Sequence, residues 1–168
     1  MVGSRLFPHF FDKIHYAALS ANGKGLKNYG SVAVAWRVEK NYLEGRISVH
    51  EENSFDFFNT HQLGDLKAHT PKGYSSEWQE RHKIAVSKLA TKIDTGTTID
   101  EIQEMILQSG SNRSADDFIE IAIFSEDGLD AMAVDGVTLQ DKPMAKSGQI
   151  RLRALKETCD KYKVKFFE

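Results

Sequence analysis

The chain has 168 residues, of which 40% are hydrophobic and 27% are charged, and its formal net charge is −2. This composition is ordinary for a globular protein and excludes a collagen-like, low-complexity or strongly charged chain. The near-neutral balance also argues against a general electrostatic surface for nucleic acid. The length predicts one domain over residues 1–168, and residues 1–5 are expected to be disordered or to derive from an added segment.

Two further features limit the classes of protein. No apolar run approaches the roughly 18 residues of a transmembrane helix, and the first residues lack the apolar region of a signal peptide. Cys159 is the only cysteine, so an internal disulfide is impossible and a cysteine-based zinc site is not expected. We therefore expect a chain without a membrane span, a disulfide or a metal.

The N-terminal segment is predicted to contain a short helix and a loop. Residues 8–19 are assigned to the helix because Pro8 suits a first helical turn and apolar residues recur after it at helical spacing. Residues 20–25 read Ser-Ala-Asn-Gly-Lys-Gly, which is typical of a loop with positive φ angles. Because this glycine-rich loop follows a helix, it does not match a phosphate-binding loop between a strand and a helix.

Two strands are predicted next. Residues 32–38 are mostly apolar on both faces, which favours a central, covered strand. Residues 46–50 form a second strand, in which Ile47 and Val49 share one face. Residues 51–75 show no clear pattern, and long irregular segments of this kind are often functional.

Capping signals predict two helices in the middle of the chain. Ser76 with Gln79 fits a capping box at the start of the first helix, and Thr98 with Glu101 fits one at the start of the second. Gly110 is expected to end the second helix. Both helices carry an apolar stripe that would face the core.

The last third mixes strands and a helix. Residues 117–124 alternate as a strand, Asp127-Gly128 is a turn signal, and a short strand is expected within 129–139. Residues 149–162 are predicted to form a helix, and 164–167 a final strand. Because strands and helices do not alternate regularly, the order favours an α+β fold over a doubly wound sheet.

Glu120 is the first candidate functional residue. It lies in the middle of the 117–124 strand, between Phe118 and Ala122 on its own face. A carboxylate removed from water beside apolar groups costs free energy unless it is paired or used. Glu120 is therefore interpreted either as a catalytic or ligand-binding carboxylate in a cleft, or as an ordinary residue on an exposed strand face.

The histidines suggest a second kind of site. His50 shares a strand face with Arg46 and Ser48, and a metal-independent nuclease needs a base and a cation near a phosphate. His61, His69 and Lys67 are further candidates for such a site. The alternative is a solvated histidine at the end of a strand. Cys159, Trp36 and Trp78 are expected to pack in the core.

Three segments taken together resemble bacterial ADP-ribosyltransferase-like domains, including their toxin and effector versions. The first is His15-Tyr16 followed by the 20–25 loop. The second is Tyr29 to Val34, followed by Arg46 to Val49 and the turn Glu52-Asn53-Ser54. The third is the strand 117–124, which is followed by a glycine and a leucine.

This resemblance implies a split β-sandwich that holds NAD, as a co-substrate, in the cleft between two sheets. Glu120 would bind a hydroxyl of the nicotinamide ribose and stabilise the oxocarbenium-like charge as the glycosidic bond breaks. Ser48 or Ser54 would take the family's mid-chain Ser/Thr position. His15, Tyr16 or Arg5 would take the early NAD-contacting position.

The resemblance also sets the expected binding residues and partners. The cofactor-binding residues would be His15, Tyr16, Ser20, Asn22 and Gly23, and the catalytic ones Glu120, Ser48 and Ser54. The acceptor of ADP-ribose would be a protein or a nucleic acid, a cognate immunity protein is a further expected partner, and no membrane is involved. The protein would act in the cytoplasm or in the cytosol of a target cell.

The chain departs from the family pattern at several positions. Phe118 stands where transferases that modify arginine carry an acidic residue or Gln, and Ala122 stands where a related group often has Gln. The Gly-Asp-Ser turn has become Glu52-Asn53-Ser54. These departures are also compatible with a relative of the family whose activity has changed or has been lost. A metal-independent ribonuclease toxin and a non-enzymatic immunity or adaptor domain are the alternative functions.

Overall fold

A computed structural model describes residues 8–38, 45–54 and 73–168. The protein is a mixed α+β fold, as predicted. The described strands are β1 Ile14–Ala18, β2 Val32–Trp36, β3 Ile47–His50, β4 Ser75–Glu77, β5 Leu107–Gln108, β6 Asp117–Phe118, β7 Glu120–Phe124, β8 Val134–Leu139 and β9 Lys165–Phe167. The described α-helices are α1 Arg81–Leu89, α2 Ile99–Ile106 and α3 Lys146–Tyr162.

The strands form two main sheets. The first has the order β1-β7-β3-β4, and all of its neighbours are antiparallel. The second has the order β2-β8-β9, in which β8 runs antiparallel to β2 and parallel to β9. A short pair, β5 with β6, leads into β7. Strand β7 therefore lies inside the first sheet, between β1 and β3.

The hydrophobic core lies on one face of the first sheet. Alternation within β3 and β7 directs one set of apolar side chains to this face, and the two helices that follow β4 cover it. The main buried members are Ile47, Val49, Ile84, Leu89, Ile106, Ile119, Ile121 and Ile123. The structure therefore confirms the prediction that Ile47 and Val49 lie on the same face of their strand.

The predicted helix over residues 8–19 is wrong. The chain makes only a single 3₁₀ turn at Phe11–Lys13 and then enters β1, which pairs with β7 from Ile14–Phe124 to Ala18–Glu120. The prediction was based on apolar residues at helical spacing that would face the core, but two of them, Phe10 and Phe11, are exposed. Backbone pairing with a strand far along the chain outweighs this weak local pattern.

The predicted capping box of Ser76 with Gln79 is also wrong. Ser76 lies in β4 opposite Val49, and α1 begins only at Arg81, after a 3₁₀ turn. In contrast, the capping box of Thr98 with Glu101 is confirmed in full. That second helix ends at Ile106 rather than near Gly110, because the chain turns directly into β5.

The strand predicted over residues 32–38 exists as β2, but it is not central and covered. Within the described ranges it pairs only with β8, and Val34 is 46% exposed. Its Trp36, expected in the core, is only partly buried, as is Trp78. Strand β2 borders a cavity along its whole length.

The last third follows the sequence prediction closely. Gly128 has the positive φ of +81° that the turn signal requires. Strand β8, helix α3 and strand β9 lie where they were expected. Cys159 is buried, as predicted. In the part of the chain that the structure describes, none of the helices has the length and apolar character needed to cross a membrane.

Candidate functional site

A cavity of about 420 Å³ lies between the two main sheets. Its volume falls within the range of about 300–1,000 Å³ that is usual for small-molecule sites. Strands β1 and β7 of the first sheet, strand β2 of the second sheet and the loop 20–25 contribute to its wall. The wall is mainly apolar, and among its described residues Glu120 is the one acidic side chain and Lys24 the one basic side chain.

Glu120 is buried in this wall, with only 7% of its surface exposed. It is the first residue of β7, and Ala18 of β1 and His50 of β3 are its cross-strand neighbours. The interpretation of Glu120 as a plain surface residue is therefore wrong. Among the described residues, no basic side chain forms an ion pair with it.

Ser54 supplies the polar contacts of this carboxylate. Its backbone N–H donates a hydrogen bond of 3.0 Å to Glu120 Oε1, and its side chain also interacts with the carboxylate. Burial raises the pKa of Glu120, and the two contacts from Ser54 partly oppose that rise because they stabilise the charged form. Ser54 itself is buried, so the contact is shielded from water.

Two tyrosines line the same cavity. Tyr16 pairs with Ala122 across β1 and β7, so it shares the sheet face of Glu120. Burial and the nearby Glu120 charge raise the pKa of Tyr16, while Ser54 lowers it. Burial also raises the pKa of Tyr29, with contributions from the charges of Asp116 and Glu120. Both phenol rings thus lie within the electrostatic range of the carboxylate.

The loop 20–25 forms one rim of the cavity. Asn22 Oδ1 accepts a hydrogen bond of 3.0 Å from the Lys24 N–H, which closes a tight turn. Gly23 within this turn has a φ of +73°, a conformation that favours glycine. The turn places Ser20 and Lys24 on the cavity wall.

Gln140 holds the far end of this loop against the second sheet. Its side-chain oxygen accepts from the Gly25 N–H at 3.0 Å, and its side-chain nitrogen donates to the Gly30 carbonyl at 3.0 Å. A Cβ at Gly25 would lie 2.8 Å from the Cβ of Ala33, so glycine is needed for this close approach. The rim is therefore held by specific contacts on both sides.

The predicted site residues separate into two groups. Glu120, Tyr16, Ser20 and Gly23 line the cavity, and Ser54 lies behind its wall, where it interacts with Glu120 and Tyr16. The other three, His15, Asn22 and Ser48, do not line it.

Each of these three residues has a different environment. His15 pairs with Ile123 and lies on the face of β1 opposite to Tyr16, because side chains alternate along a strand. The side chain of Asn22 is used within the loop. Ser48 Oγ lies 3.0 Å from His50 Nε2, and both residues line a second cavity together with Arg46.

The residues proposed for a nuclease are only partly described. His50 is buried rather than solvated, and this burial lowers its pKa, which disfavours the protonated form. His61, His69 and Lys67 lie outside the described residues, as does Arg5, the alternative early NAD-contacting residue. The nuclease hypothesis therefore stays a prediction.

Some residues of the cavity were not predicted from the sequence. Tyr29 has no role of its own in the sequence-based predictions, because it appears there only as the first residue of a segment that carries the resemblance. Trp36 and Trp78 were assigned to the core, but both line the cavity. Lys24 belonged to a predicted loop without a role of its own, and no sequence signal pointed to Gln140.

Comparison of the chain with protein-family models, with curated proteins and with solved structures finds no match. Within the described ranges, no cluster of three or more His, Cys, Asp or Glu side chains has the arrangement to hold a metal ion. The residues of the cavity are therefore the basis for the function proposed below.

Proposed function

We propose that the protein is an NAD-using enzyme, either a mono-ADP-ribosyltransferase or an NAD glycohydrolase. In this proposal the two main sheets are the halves of a split β-sandwich of ADP-ribosyltransferase type, and NAD binds between them. The observation that carries the proposal is the buried carboxylate of Glu120, which lines the cavity between the sheets and is held by Ser54.

The reaction needs a negative charge at the point where positive charge develops. The bond between C1′ of the ribose and the nicotinamide nitrogen breaks, and nicotinamide leaves with the bonding electron pair. Positive charge then develops on C1′ and on the ring oxygen. The Glu120 carboxylate accepts a hydrogen bond from a ribose hydroxyl and stabilises this charge, and its effect is largest where water is excluded.

The second half of the reaction decides between the two activities. A nucleophile attacks C1′, forms a new bond and releases a proton. In a glycohydrolase the nucleophile is water, and free ADP-ribose is the product. In a transferase it is a side chain or a base of the acceptor, which then carries the ADP-ribose.

Other residues of the wall have roles that fit parts of NAD. The faces of Tyr16 and Tyr29 attract the cationic nicotinamide ring, since aromatic faces bind cations. Lys24 on the loop rim attracts the anionic diphosphate. Ser54 favours the charged form of the buried Glu120, because its contacts offset part of the desolvation cost.

The resemblance to bacterial toxins and effectors supports a cytosolic target. The acceptor in this proposal is a protein or a nucleic acid of a target cell, and an immunity protein protects the producing cell. This part of the proposal rests on the sequence resemblance, and labelling of the target identifies the acceptor.

Release of nicotinamide from NAD tests the proposal directly. We expect the wild type to release nicotinamide, in buffer or in the presence of cell lysate. The Glu120→Gln variant should lose about 100- to 1,000-fold in rate, which is the usual cost of removing one preorganised electrostatic group. Glu126→Gln is the matched control, because its side chain is exposed on the turn after β7.

Labelled NAD then separates the two activities. Transfer of the adenosine label to a macromolecule in lysate indicates a transferase, and free labelled ADP-ribose indicates a glycohydrolase. If the wild type releases no nicotinamide under either condition, the proposed function is wrong.

A further inference from the structure

The structure contains a buried lysine that does not line the cavity. Lys88 lies in α1, and its side chain is only 4% exposed. Its Nζ donates a hydrogen bond of 2.9 Å to the carbonyl oxygen of Glu51 and forms an ion pair with Asp117. Glu52 Oε1 lies 3.7 Å away. A buried ammonium group is tolerated only with such compensation.

The partners of Lys88 belong to the two segments that build the site. Glu51 and Glu52 lie just before Ser54, which donates to Glu120. Asp117 lies three residues before Glu120 in the stretch that leads into β7. Lys88 therefore connects the segment that carries the donor with the segment that carries the acceptor.

Other contacts also hold the Glu51 segment. Strand β3, which precedes it, pairs with β7 as far as His50 and Glu120. Glu51 Oε1 accepts a hydrogen bond from Ser87 Oγ at 3.0 Å, and Glu51 Oε2 accepts one from the Tyr74 N–H at 3.0 Å. Lys92 forms an ion pair with Asp117 and has no ion pair or hydrogen bond to residues 51–54. The His50–Glu120 pairing and the Ser54–Glu120 hydrogen bond join the two segments directly. Lys88 adds a second connection from outside both segments, through the Glu51 carbonyl and Asp117.

We propose that Lys88 is a positioning residue of the Glu120 site, which holds the Ser54 segment at hydrogen-bonding distance from the Glu120 carboxylate. It acts through Ser54 and does not touch the ligand. The effect on catalysis rests on the proposed function, whereas the effect on the Ser54–Glu120 contact does not.

The test uses Lys88→Met, which keeps an unbranched side chain, one heavy atom shorter, and removes its charge. Lys92→Met is the matched control, because Lys92 shares Asp117 but makes none of the contacts to residues 51–54 described above. The first readout is the carboxyl ¹³C signal of Glu120, followed by NMR across a pH titration. In Lys88→Met we expect the midpoint to move to higher pH, since Ser54 no longer stabilises the charged form.

Other titrating groups near Glu120 have to be separated from this signal. They are Tyr16 on β1, Tyr29 on the turn before β2, and His50 on β3. A carboxyl signal assigned to Glu120 reports its own protonation and distinguishes it from these groups. The midpoint in Lys92→Met should stay at the wild-type pH.

The second readout is kinetic. We expect Lys88→Met to lower kcat by about 10- to 100-fold, the usual effect of a small displacement of a catalytic group. KM for NAD should stay within about threefold, because the cavity wall is unchanged. The acid limb of the kcat profile should move to higher pH with the NMR midpoint. In a Ser54→Ala background the further effect of Lys88→Met should be smaller.

A loss of folding would obscure this result, so a second variant is included. The pair Lys88→Met with Asp117→Asn removes both charges and leaves no unpaired buried ion. Circular dichroism confirms that each variant is folded. If a folded variant keeps the wild-type midpoint and kcat, Lys88 has no positioning role. If the wild type has no activity but the midpoint moves, the proposed function fails and the positioning role stands.

Discussion

Asp117 and Glu120 lie three positions apart in one extended stretch, yet their surroundings affect them in opposite ways. Burial acts to raise the pKa of Asp117, but Lys88 and Lys92 outweigh it, and the pKa is lowered. Burial also raises the pKa of Glu120, and Ser54 opposes it only in part. The first carboxylate has an ion-paired, structural environment. The second has the environment of a functional group, which is typical of perturbed acids in cavities.

The two carboxylates therefore affect stability with opposite signs. The lowered pKa of Asp117 contributes stability above the pKa of the unfolded state, and this contribution is lost as the pH falls through the folded-state pKa. The raised pKa of Glu120 contributes stability below the unfolded-state pKa, and this contribution is lost as the pH rises through the folded-state pKa. At neutral pH the charge of Asp117 supports the fold, whereas the charge of Glu120 costs stability.

The largest expected effect is the loss of stability when Asp117 is replaced. Asp117→Asn removes the closer of the two ionic partners of the buried Lys88, and the free energy of unfolding should fall by about 1–3 kcal/mol. This is less than the roughly 3–5 kcal/mol of a fully buried pair, because the Asp117 side chain is 34% exposed. Urea unfolding at pH 7 measures the change. An unchanged midpoint would mean that this ion pair is not structural.

Replacement of Glu120 should have the opposite effect on stability. Glu120→Gln should raise the free energy of unfolding at pH 8 by about 0.5–2 kcal/mol, since site residues often cost stability. The gain should disappear near pH 3, where the carboxyl is protonated in both folded and unfolded chains. Thermal unfolding at several pH values gives this profile. A destabilised variant at pH 8 would contradict the interpretation that the buried charge of Glu120 costs stability.

The smallest expected effects are those that distinguish Lys24, which lines the cavity, from Lys92, which does not. Lys24→Met should raise KM for NAD about two- to fivefold, as expected for one exposed charge–charge contact, and leave the melting temperature unchanged. Lys92→Met should leave KM unchanged and lower the melting temperature slightly, because Lys92 pairs with Asp117. Steady-state kinetics and thermal unfolding of both variants provide the comparison. Equal KM values in Lys24→Met and wild type would remove Lys24 from the site.

Some local signals in the sequence predicted local structure correctly, whereas the Ser76–Gln79 capping box did not. The Thr98–Glu101 capping box and the Gly128 turn depend on residues a few positions apart, and both are present. Strand β1 was missed because its pairing with β7 involves residues more than a hundred positions away. Glu120 could be singled out because a carboxylate among apolar neighbours is chemically unusual.

The partners of Glu120 were harder to find. Ser54 and Tyr16 were named through the resemblance and not through any spacing rule. Lys88 could not be recognised, because its burial depends on a carbonyl 37 positions earlier in the chain. Gln140 was missed for the same reason, since its contact with Gly25 spans 115 positions.

The pairing of distant segments also has a consequence for how the molecule folds. Strand β1 joins β7, β2 joins β8, and Gln140 clamps the loop beside β2, so each wall of the cavity combines an early and a late segment. Such topologies have a high contact order and fold slowly, because large loops have to close before the contacts form. The cavity therefore exists only when these early and late segments are paired, and a molecule in which they are unpaired carries the candidate site residues without a site.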